Sequence, residues 1–538
     1  MTKANQSAVS PEQVFREYER GIAYKRAMGD HGMYEQNRIN ERFFSGDQWY
    51  GANCGDNRPL VRYNVIRRIG DYKMAVIAAA PAAVQFSAEG VPNTLEMRER
   101  IAARRQLWRS GVTPEEPLSA EEEAQAVAAA LGEYHDTTAR RLRLDMLGSK
   151  ALRNAYITGT GVLYTYWDAS QKTGLYADTS HRCPIRGDIA CEVLEIENVY
   201  CGDPRVEELQ QQPYVLVAQR MPAEQVARQA KSGGCRDWGS VRPDEDADDG
   251  HTTVLTRFWK EWDDSGEALV WAVQVCRGVT VRKPWCTGLR LYPLSVFRWD
   301  EKRCRAYGES EIPYLIPNQI AINRTVSAGV WAVMAMGMPI MLVNGDVVTQ
   351  PVTNDPGQVI PVYGSGDEVK DAVRYVDPPA FSAQFDANVQ HLISDTMTQA
   401  GVNTTLLGDV KPDNTSAILA VREASLMPLQ LIRNRYFTFL EETARIWTEF
   451  WLTMYGDRAL KIEQPDGVWY LPFHADRYRD LLLNIRVEAG ESGRFSEVRT
   501  AETLDNLYRN GVINARQYLS RLPQGYVPKL DALLREIG

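Results

Sequence analysis

The spacing of apolar residues changes twice along the chain. In the first third, apolar residues such as Val14, Tyr18 and Ile22 recur every three or four positions, which is the period of an amphipathic helix. Between residues 161 and 299, five apolar segments separated by turn residues instead have the composition of β-strands. These segments are GVLYTYWD, IACEVLEIENVYC, TVLTRFWKEW, ALVWAVQVCRG and PLSVFRW. After Gly308 the helical spacing returns, so the pattern predicts an α+β fold.

Two of the expected helices begin with capping signals. Ser10 precedes Pro11, which suits a first helical turn, and Gln13 follows three residues after Ser10. Ser119 and Glu122 have the same spacing at the start of an alanine-rich segment. The sequence therefore predicts a capping box at each position.

The strongest helical pattern runs from Leu429 to Met454, where apolar residues keep a spacing of three or four. Glu441, Arg445 and Glu449 are spaced for ion pairs between successive turns. Pro428 is expected inside this helix, where it removes one backbone hydrogen bond and produces a kink. Two segments typical of strands, VWYLPF and LLLNIRVEAG, follow, and short helices close the chain.

One segment of 18 residues, Val326–Val343, carries no charge. Its length is at the lower limit for a membrane-spanning helix, but Pro339 lies near its end and no aromatic belt flanks it. A helix buried against protein on all sides has the same pattern. Residues 340–368 are rich in turn and β-branched residues, which favours a small extended or hairpin module.

The composition is that of a globular protein. The length of 538 residues allows two to four domains, with 44% hydrophobic and 24% charged residues. A core of this size needs neither metal nor disulfides for stability. The formal net charge of −9 argues against a protein that binds nucleic acid through broad charge neutralisation.

The reactive side chains form no recognisable catalytic motif. The eight cysteines include no CxxC pair, and no histidine lies at metal-ligand spacing from them, so they are interpreted as reduced thiols of a cytosolic protein. The N-terminal segment lacks the apolar region of a signal peptide. There is no GxxxxGK[ST], HExxH or GxSxG motif, and the acidic stretch RPDEDADDG lacks the ligand spacing of a calcium loop. The sequence thus predicts no enzymatic activity, cofactor or metal.

A polar loop, LLGDVKPDNTSAI, separates two segments that both have a helical pattern. Its Lys411 is the only cation between His391 and Arg422. The next residue, Pro412, stiffens the loop around this ammonium group.

Four stretches, taken in order, resemble portal proteins of tailed bacteriophages, in particular the subset from phages of Gram-positive type. Each alone is only a pattern of glycine, proline and aromatic residues, whereas the shared order covers most of the chain. The stretches are ERFFSGDQWYG with RPLVRYNVIRRIGDYKMAVIAAAP, YGESEIPYLIPNQIAINRTVS, GVNTTLLGDVKPDNTSAILAVREASLMPLQ, and VEAGESGRFSEVRTAETLDNLYRNGVINARQYLSRLP.

The resemblance implies the α+β portal fold, with an α/β wing, a helical stem, a small clip that contains β-structure, a long kinked helix and a helical crown. The corresponding ranges are 1–305 for the wing, 306–337 and 382–400 for the stem helices, 338–381 for the clip, 401–415 for the tunnel loop, 416–456 for the kinked helix, 457–493 for further wing strands and 494–538 for the crown.

The resemblance also implies a function. A portal is a homo-oligomeric ring of about twelve copies at one capsid vertex, and double-stranded DNA is packaged and ejected through it. The implied partners are the large terminase subunit, the head-tail adaptor, and the major capsid and scaffolding proteins. The implied location is the virion, after assembly in the host cytoplasm.

Site residues follow from this resemblance. The expected transient contacts with DNA in the tunnel are Lys411, Asn403, Thr404 and Asn414. The expected stem residues that pack between subunits are Val330, Trp331, Met334 and Met338, and the expected kink is at Pro428. Two alternatives are kept: a soluble α+β enzyme whose site the sequence does not reveal, and a membrane-inserted pore built on Val326–Val343.

Overall fold

The structure is a computed structural model, and it describes the following residues: 9–51, 59–79, 82–89, 100, 103, 119–176, 182–245, 249–262, 266–336, 340–346, 348, 361–363, 365–367, 373–376, 383–402, 427–464, 467–479, 481–489, 504–515 and 518–519. It mixes helices and sheets, which confirms the α+β class. The chain divides into two compact units. The first comprises Met1–Gln36, Met74–Ser310 and Leu429–Gly538, and the second comprises Asn37–Lys73 and Glu311–Pro428.

The helices and strands of the described residues are numbered in chain order. The helices are α1 (Pro11–Arg26), α2 (Gly32–Ser45), α3 (Val65–Ala78), α4 (Ala120–Leu142), α5 (Leu144–Thr158), α6 (Ala223–Ser232), α7 (Ile312–Met336), α8 (Ala383–Gln399), α9 (Gln430–Met454) and α10 (Ala475–Tyr478). The strands are β1 (Ala82–Ala88), β2 (Thr160–Tyr176), β3 (Pro184–Leu194), β4 (Val199–Cys201), β5 (Tyr214–Pro222), β6 (His251–Trp262), β7 (Ala268–Cys276), β8 (Val279–Cys286), β9 (Leu294–Arg298), β10 (Ile340–Val343), β11 (Val373–Val376), β12 (Asp457–Gln464), β13 (Gly467–His474) and β14 (Leu483–Ala489).

The first unit contains an antiparallel five-stranded sheet in the order β4-β5-β6-β7-β8. Alternate side chains of a strand point to opposite faces, so one face of this sheet is apolar and packs on α1. The buried residues of this cluster are Val14, Tyr200, Leu216, Ala218, Leu255, Trp259, Val273 and Val275. Within the same contact, Arg257 of β6 forms a buried ion pair with Glu17 of α1, at 2.7 Å between Nε and Oε2. This pair fixes the position of α1 on the sheet.

A second sheet, in the order β3-β2-β9, follows helix α5 directly. The turn between α5 and β2 requires glycine at two positions. Gly159 has a φ of +86°, and a Cβ atom on Gly161 would lie 2.2 Å from the carbonyl oxygen of Ala151. Glycine at these two positions of the GTG sequence therefore lets strand β2 lie close to helix α5.

The C-terminal strands belong to the first unit. Strand β14 pairs antiparallel with β1, from Ala82 opposite Ala489 to Ala88 opposite Leu483, and β12 pairs with β13. Residues 37–73 belong to the second unit, whereas the resemblance placed the whole of residues 1–305 in one wing. The assignment of residues 1–305 to one wing stays a prediction.

Helix α9 packs against β9, β14 and α10, and 12 of its 25 residues are buried. Its buried residues are Tyr436, Phe437, Phe439, Leu440, Thr443, Ala444, Ile446, Trp447, Thr448, Phe450, Trp451 and Leu452. The predicted apolar spacing of this helix is confirmed. The predicted ion pairs are not formed, since Arg445 has no ion pair with either carboxylate among the described residues. Glu441 instead accepts a hydrogen bond from Val487 N, and Glu449 accepts one from Arg290 N.

The start of α9 differs from the sequence-based expectation. Pro428 lies in a short 3-10 turn, Met427–Leu429, and α9 begins after it at Gln430. Residues 403–426 lie outside the described residues, so the kink between two helical segments stays a prediction. Proline suits a helix start, because its missing N–H would have no intrahelical partner there.

The capping signals are confirmed in full at one helix and in part at the other. At α4, Ser119 Oγ accepts from Glu122 N, and the Glu122 side chain accepts from Ser119 N. At α1, Ser10 Oγ accepts from Gln13 N at 3.2 Å, but the Gln13 amide turns to Glu17 instead of back to Ser10. The Gln13 Nε2 donates to the Glu17 carboxylate at 3.2 Å, a charge-assisted hydrogen bond that holds the amide away from the Ser10 N–H.

The uncharged run Val326–Val343 is divided between two elements. Helix α7 ends at Met336 and strand β10 begins at Ile340, with residues 337–339 outside the described residues. In the described part of the chain, no helix has both the length and the apolar character needed to cross a membrane.

Candidate functional site

In the second unit, Gln319 of α7 organises the segment that leads into α3. Its Oε1 accepts hydrogen bonds from Val65 N at 2.9 Å and from Ile66 N at 3.2 Å. These two N–H groups lie in the first turn of α3, where they have no intrahelical partner. Its Nε2 donates to Tyr63 O at 2.7 Å. One fully buried side chain therefore caps α3 and holds the chain before it.

Asn323 and Ser327 continue this row along the same side of α7, at intervals of four residues. Asn323 Oδ1 accepts from Tyr63 N at 3.0 Å, and its Nδ2 donates to Gln48 Oε1 at 2.6 Å. Ser327 Oγ accepts from Val61 N at 3.0 Å. The row Gln319, Asn323 and Ser327, hereafter the polar row, aligns residues 61–66 along α7.

A nearly buried ion pair lies just before α7. Lys73 Nζ is 2.6 Å and 2.8 Å from the two carboxylate oxygens of Glu311, and the Lys73 side chain is 5% exposed. Removing one partner of such a pair costs about 3–5 kcal/mol, because the other charge stays buried. The pair therefore anchors α3 to the start of α7.

Helices α7 and α8 pack against each other in antiparallel directions. Near one end, Asn318 Nδ2 donates to Gln399 Oε1 at 3.3 Å. Near the other end, a Cβ atom on Gly329 would lie 2.4 Å from the ring of Phe385. Glycine at this position lets the two helices approach closely. Strands β10 and β11, which lie between the helices in sequence, form an antiparallel pair.

The last two turns of α7 carry large apolar side chains in contact with solvent. This group, hereafter the apolar end, comprises Val330 (38% exposed), Trp331 (40%), Val333 (58%) and Met334 (52%). Contiguous apolar surface of this kind marks a site of contact with another molecule. The sequence predicted a packing role for all of them except Val333, which lies in the same uncharged run. The fourth predicted residue, Met338, lies outside the described residues.

A pocket of about 310 Å³ lies beside α7, between Ile320 and Arg324 of that helix and residues 39–51. Its wall includes Trp49, whose Nε1 donates to Val61 O at 3.1 Å. The guanidinium of Arg42 lies 3.4 Å from the ring centre of the exposed Tyr50. The pocket thus combines aromatic walls with two guanidinium groups.

The expected DNA contacts Lys411, Asn403, Thr404 and Asn414 lie outside the described residues. The two ends of their loop are described. Gly401, which follows α8 with a φ of +70°, lies against Pro428, since a Cβ atom on Gly401 would be 3.1 Å from Pro428 Cβ. Gly401 and Pro428, the described residues near the two ends of this segment, therefore lie next to each other in the second unit.

The polar row was missed by the sequence reasoning. The sequence did contain a signal for it. Three amide or hydroxyl side chains spaced by four residues in a largely apolar helix lie on one side of that helix and indicate a polar contact there. The partners could not be found in this way, since they lie 253 to 275 residues away in sequence.

The first unit contains a cleft of about 820 Å³ between its two larger sheets. Amide, hydroxyl and aromatic side chains line it. Its Glu192 accepts a hydrogen bond from Gln219 at 2.9 Å, and burial raises the pKa of this carboxyl group. Its Ser170 donates to Asp168 at 2.6 Å, and the described lining includes no histidine, cysteine or lysine. The described residues bring no group of three metal-ligating side chains together.

The first unit also holds a buried lysine. Lys25 Nζ donates to the carbonyl oxygens of Ile196, Glu197 and Val199 at 2.6, 3.0 and 2.7 Å. Burial lowers the pKa of Lys25 to about 7. The three acceptors oppose this shift, because only the ammonium form can donate three hydrogen bonds. Like the polar row, this site depends on residues that are distant in sequence.

Comparison of the sequence with models of protein families finds no match, and a search of curated proteins finds none either.

Proposed function

We propose that this chain is the portal protein of a tailed bacteriophage, a homo-oligomeric ring of about twelve copies at one capsid vertex. Double-stranded DNA would pass through the ring during packaging and ejection. The observation that carries the proposal is the apolar end of α7, whose four side chains are between 38% and 58% exposed. Neighbouring copies of the same helix supply the apolar contact that this surface lacks.

The order of elements in the second unit supports the same conclusion. Helix α7, the β10–β11 pair, helix α8 and the loop that returns at Pro428 follow one another as the stem helix, clip, second stem helix and tunnel loop of a portal do. Helix α9 follows next along the chain, in the order in which the long helix follows the tunnel loop of a portal. Each element alone is common, and their shared order supports the proposal.

Charge supports a conduit for DNA. A ring of about twelve copies, each with a net charge of −9, carries on the order of a hundred negative charges. Such a wall repels the phosphate backbone and lets DNA slide. In the proposal, Lys411 supplies a weak, transient contact with phosphate, and Asn403, Thr404 and Asn414 line the same loop.

The partners are part of the proposal. The large terminase subunit would dock on the clip and supply the ATPase activity of packaging, since the sequence holds no phosphate-binding loop. The head-tail adaptor and the major capsid and scaffolding proteins would bind the assembled ring at the vertex of the virion. No cofactor is assigned to the chain.

The experiment is a mass measurement without detergent. The chain, 60.7 kDa, is expected to assemble into a closed ring of about twelve copies in native mass spectrometry. Trp331→Asp should shift the population towards small species, because a charge in the apolar contact is costly to bury. The matched control is Trp262→Asp, which alters another exposed tryptophan in the first unit. A wild-type chain that stays monomeric at micromolar concentration contradicts the proposal.

A further inference from the structure

We propose that the cleft of about 820 Å³ in the first unit binds a short, uncharged oligosaccharide, with aromatic rings against the sugar faces and amide groups on the sugar hydroxyls. This binding site goes beyond the proposed ring and does not depend on it, because every residue described as lining the cleft belongs to the first unit.

The five-stranded sheet presents a polar face to the cleft, although the inner faces of packed sheets are normally apolar. Its side chains alternate between the apolar core that packs on α1 and the cleft. Thr256 of β6 lies opposite Gln274 of β7, and Gln274 lies opposite Arg282 of β8, so three polar residues cross this face in one row. Burying such groups costs free energy unless they are hydrogen-bonded, so this face needs water or a polar ligand.

Two contacts join the sheets across the cleft. Gln219 Nε2 of β5 donates to Glu192 Oε1 of β3 at 2.9 Å, and the ring centres of Tyr164 on β2 and Phe258 on β6 lie 6.2 Å apart. The buried Phe450 of α9 adds an apolar wall. The site is therefore formed before a ligand binds, which lowers the entropy cost of binding, and its volume lies in the range of about 300–1,000 Å³ that small-molecule sites occupy.

Aromatic rings supply flat surfaces in the cleft. Tyr164 and Tyr166 are stacked, with 5.5 Å between their ring centres. Trp285 is partly exposed, and the guanidinium of Arg282 lies 3.7 Å from its ring centre. Trp167 lines the cleft as well. The C–H groups on the faces of a sugar ring pack favourably on aromatic surfaces of this kind.

Polar groups that have no protein partner accompany these rings. Among the described residues, the hydroxyl of Tyr164 and the side-chain amides of Gln225 and Gln229 make no hydrogen bond. Gln225 and Gln229 lie one turn apart on α6, at the edge of the cleft. An amide group both donates and accepts hydrogen bonds, as a sugar hydroxyl does. These side chains therefore match the hydroxyl-bearing edge of a sugar ring.

The charges in the cleft disfavour ionic ligands. Glu192 and Asp168 are acidic and repel an anion, whereas Arg282, which has no carboxylate partner among the described residues, repels a cation. Sugar hydroxyls can donate to the carboxylates and accept from the guanidinium, so a neutral ligand meets neither repulsion.

The experiment is isothermal titration calorimetry of the full chain with maltotriose, cellotriose, chitotriose and mannotriose. At least one of them should bind with a dissociation constant in the micromolar to millimolar range. Trp285→Ala should weaken that binding at least about tenfold, because the sugar loses an aromatic surface. Gln229→Leu should weaken it about threefold or more, because a hydrogen bond is lost.

The matched control is Trp238→Ala, which should leave the affinity unchanged. Trp238 is also a partly exposed tryptophan with a cation near its ring, since the Lys231 ammonium lies 4.9 Å from the ring centre, but it does not line the cleft. Circular dichroism identifies a variant that unfolds. Trp285→Leu, which removes the ring and keeps an apolar side chain, then replaces Trp285→Ala.

Adenosine, citrate and spermidine test the class of ligand, because they offer an aromatic base, an anion and a cation. If any of the three binds more tightly than every trisaccharide, or if no trisaccharide binds at millimolar concentration, the assigned class is wrong. If a trisaccharide binds but Trp285→Ala and Gln229→Leu leave its affinity unchanged, the cleft is not the site. None of these outcomes bears on whether the chain forms a ring.

Discussion

The ammonium nitrogen of Lys25 lies 3.8 Å from the centre of the Tyr200 ring. The lysine is fully buried, and its three donors all reach backbone carbonyls of residues 196–199. Tyr200 is held in turn by Tyr34, with 3.2 Å between the two hydroxyl oxygens. A single cation thus joins the end of α1 to the turn before β4, and no carboxylate among the described residues forms an ion pair with it.

Because the Lys25 ammonium is buried, the unfolding free energy of the protein depends on pH. Burial places the pKa of Lys25 near 7 in the folded protein, against an ordinary value of 10.5. Between these values the unfolded chain binds more protons, so the Lys25 contribution to stability rises as pH increases from about 7 to about 10. In urea denaturation, the difference in unfolding free energy between wild type and Lys25→Met should grow by up to about 1.4 kcal/mol per pH unit in that window.

The control for this experiment is Lys283→Met, since Lys283 is exposed on β8. Its difference from the wild type should not change over the same pH range. If the difference in unfolding free energy between wild type and Lys25→Met stays constant with pH, Lys25 keeps its ammonium form in the folded protein over the whole range.

A second prediction concerns the turn between α5 and β2. Gly161→Ala should lower the unfolding free energy by about 3 kcal/mol, because the new Cβ would collide with the backbone carbonyl of Ala151, which cannot move aside. Gly239→Ala is the matched variant, since no atom lies within 4 Å of the Cβ position there. Chemical denaturation of the two variants measures the difference, and equal stabilities would refute the close approach.

A third prediction tests the polar row. Gln319→Leu keeps the size of the side chain but leaves the Val65 and Ile66 N–H groups without their acceptor. The unfolding free energy of the second unit should fall by about 2–6 kcal/mol, at about 1–3 kcal/mol for each of the two unpaired buried donors. Hydrogen exchange should accelerate at the start of α3. The exposed Gln390→Leu serves as the control, and unchanged exchange at Val65 and Ile66 in Gln319→Leu would rule out the capping role.

Local features could be predicted from the sequence, whereas distant contacts could not. The capping box of Ser119 and Glu122 was found because both partners lie within one helical turn. The ion pairs assigned to Glu441 and Glu449 failed because backbone N–H groups 46 and 159 residues away compete for these carboxylates. The same limit applies to Lys25, whose nearest acceptor is 171 residues distant. A periodic pattern shows which side of a helix is buried, but not what covers it.

The apolar end of α7 illustrates both sides of this limit. The uncharged run was visible in the sequence, whereas the packing role of Trp331 and Met334 was implied by the resemblance to portal proteins and stays a prediction. The change from helix to extended chain within that run was expected as well, because turn and β-branched residues begin at Ile340, where strand β10 starts.

A fourth prediction concerns the loop between α8 and α9. In the proposed tunnel loop the Lys411 ammonium meets only water and phosphate, so Lys411→Glu should leave folding and assembly intact. In an in vitro packaging reaction it should reduce the length of DNA packaged per head, because the contact with phosphate becomes repulsive, and the deficit should shrink as salt increases. Lys411→Arg is the matched variant and should package normally. Normal rate and length in the Glu variant would make Lys411 a surface lysine without a role in the tunnel.

The central claim is the ring, and electron microscopy of the purified chain without detergent tests it most directly. The account predicts closed rings of about twelve copies with a central channel, because the apolar end of α7 needs a neighbour and head-to-tail contacts close on themselves. Class averages viewed along the axis would show the channel and the rotational symmetry. A field of single 60.7 kDa particles, or of compact dimers without a channel, at micromolar concentration would contradict the account.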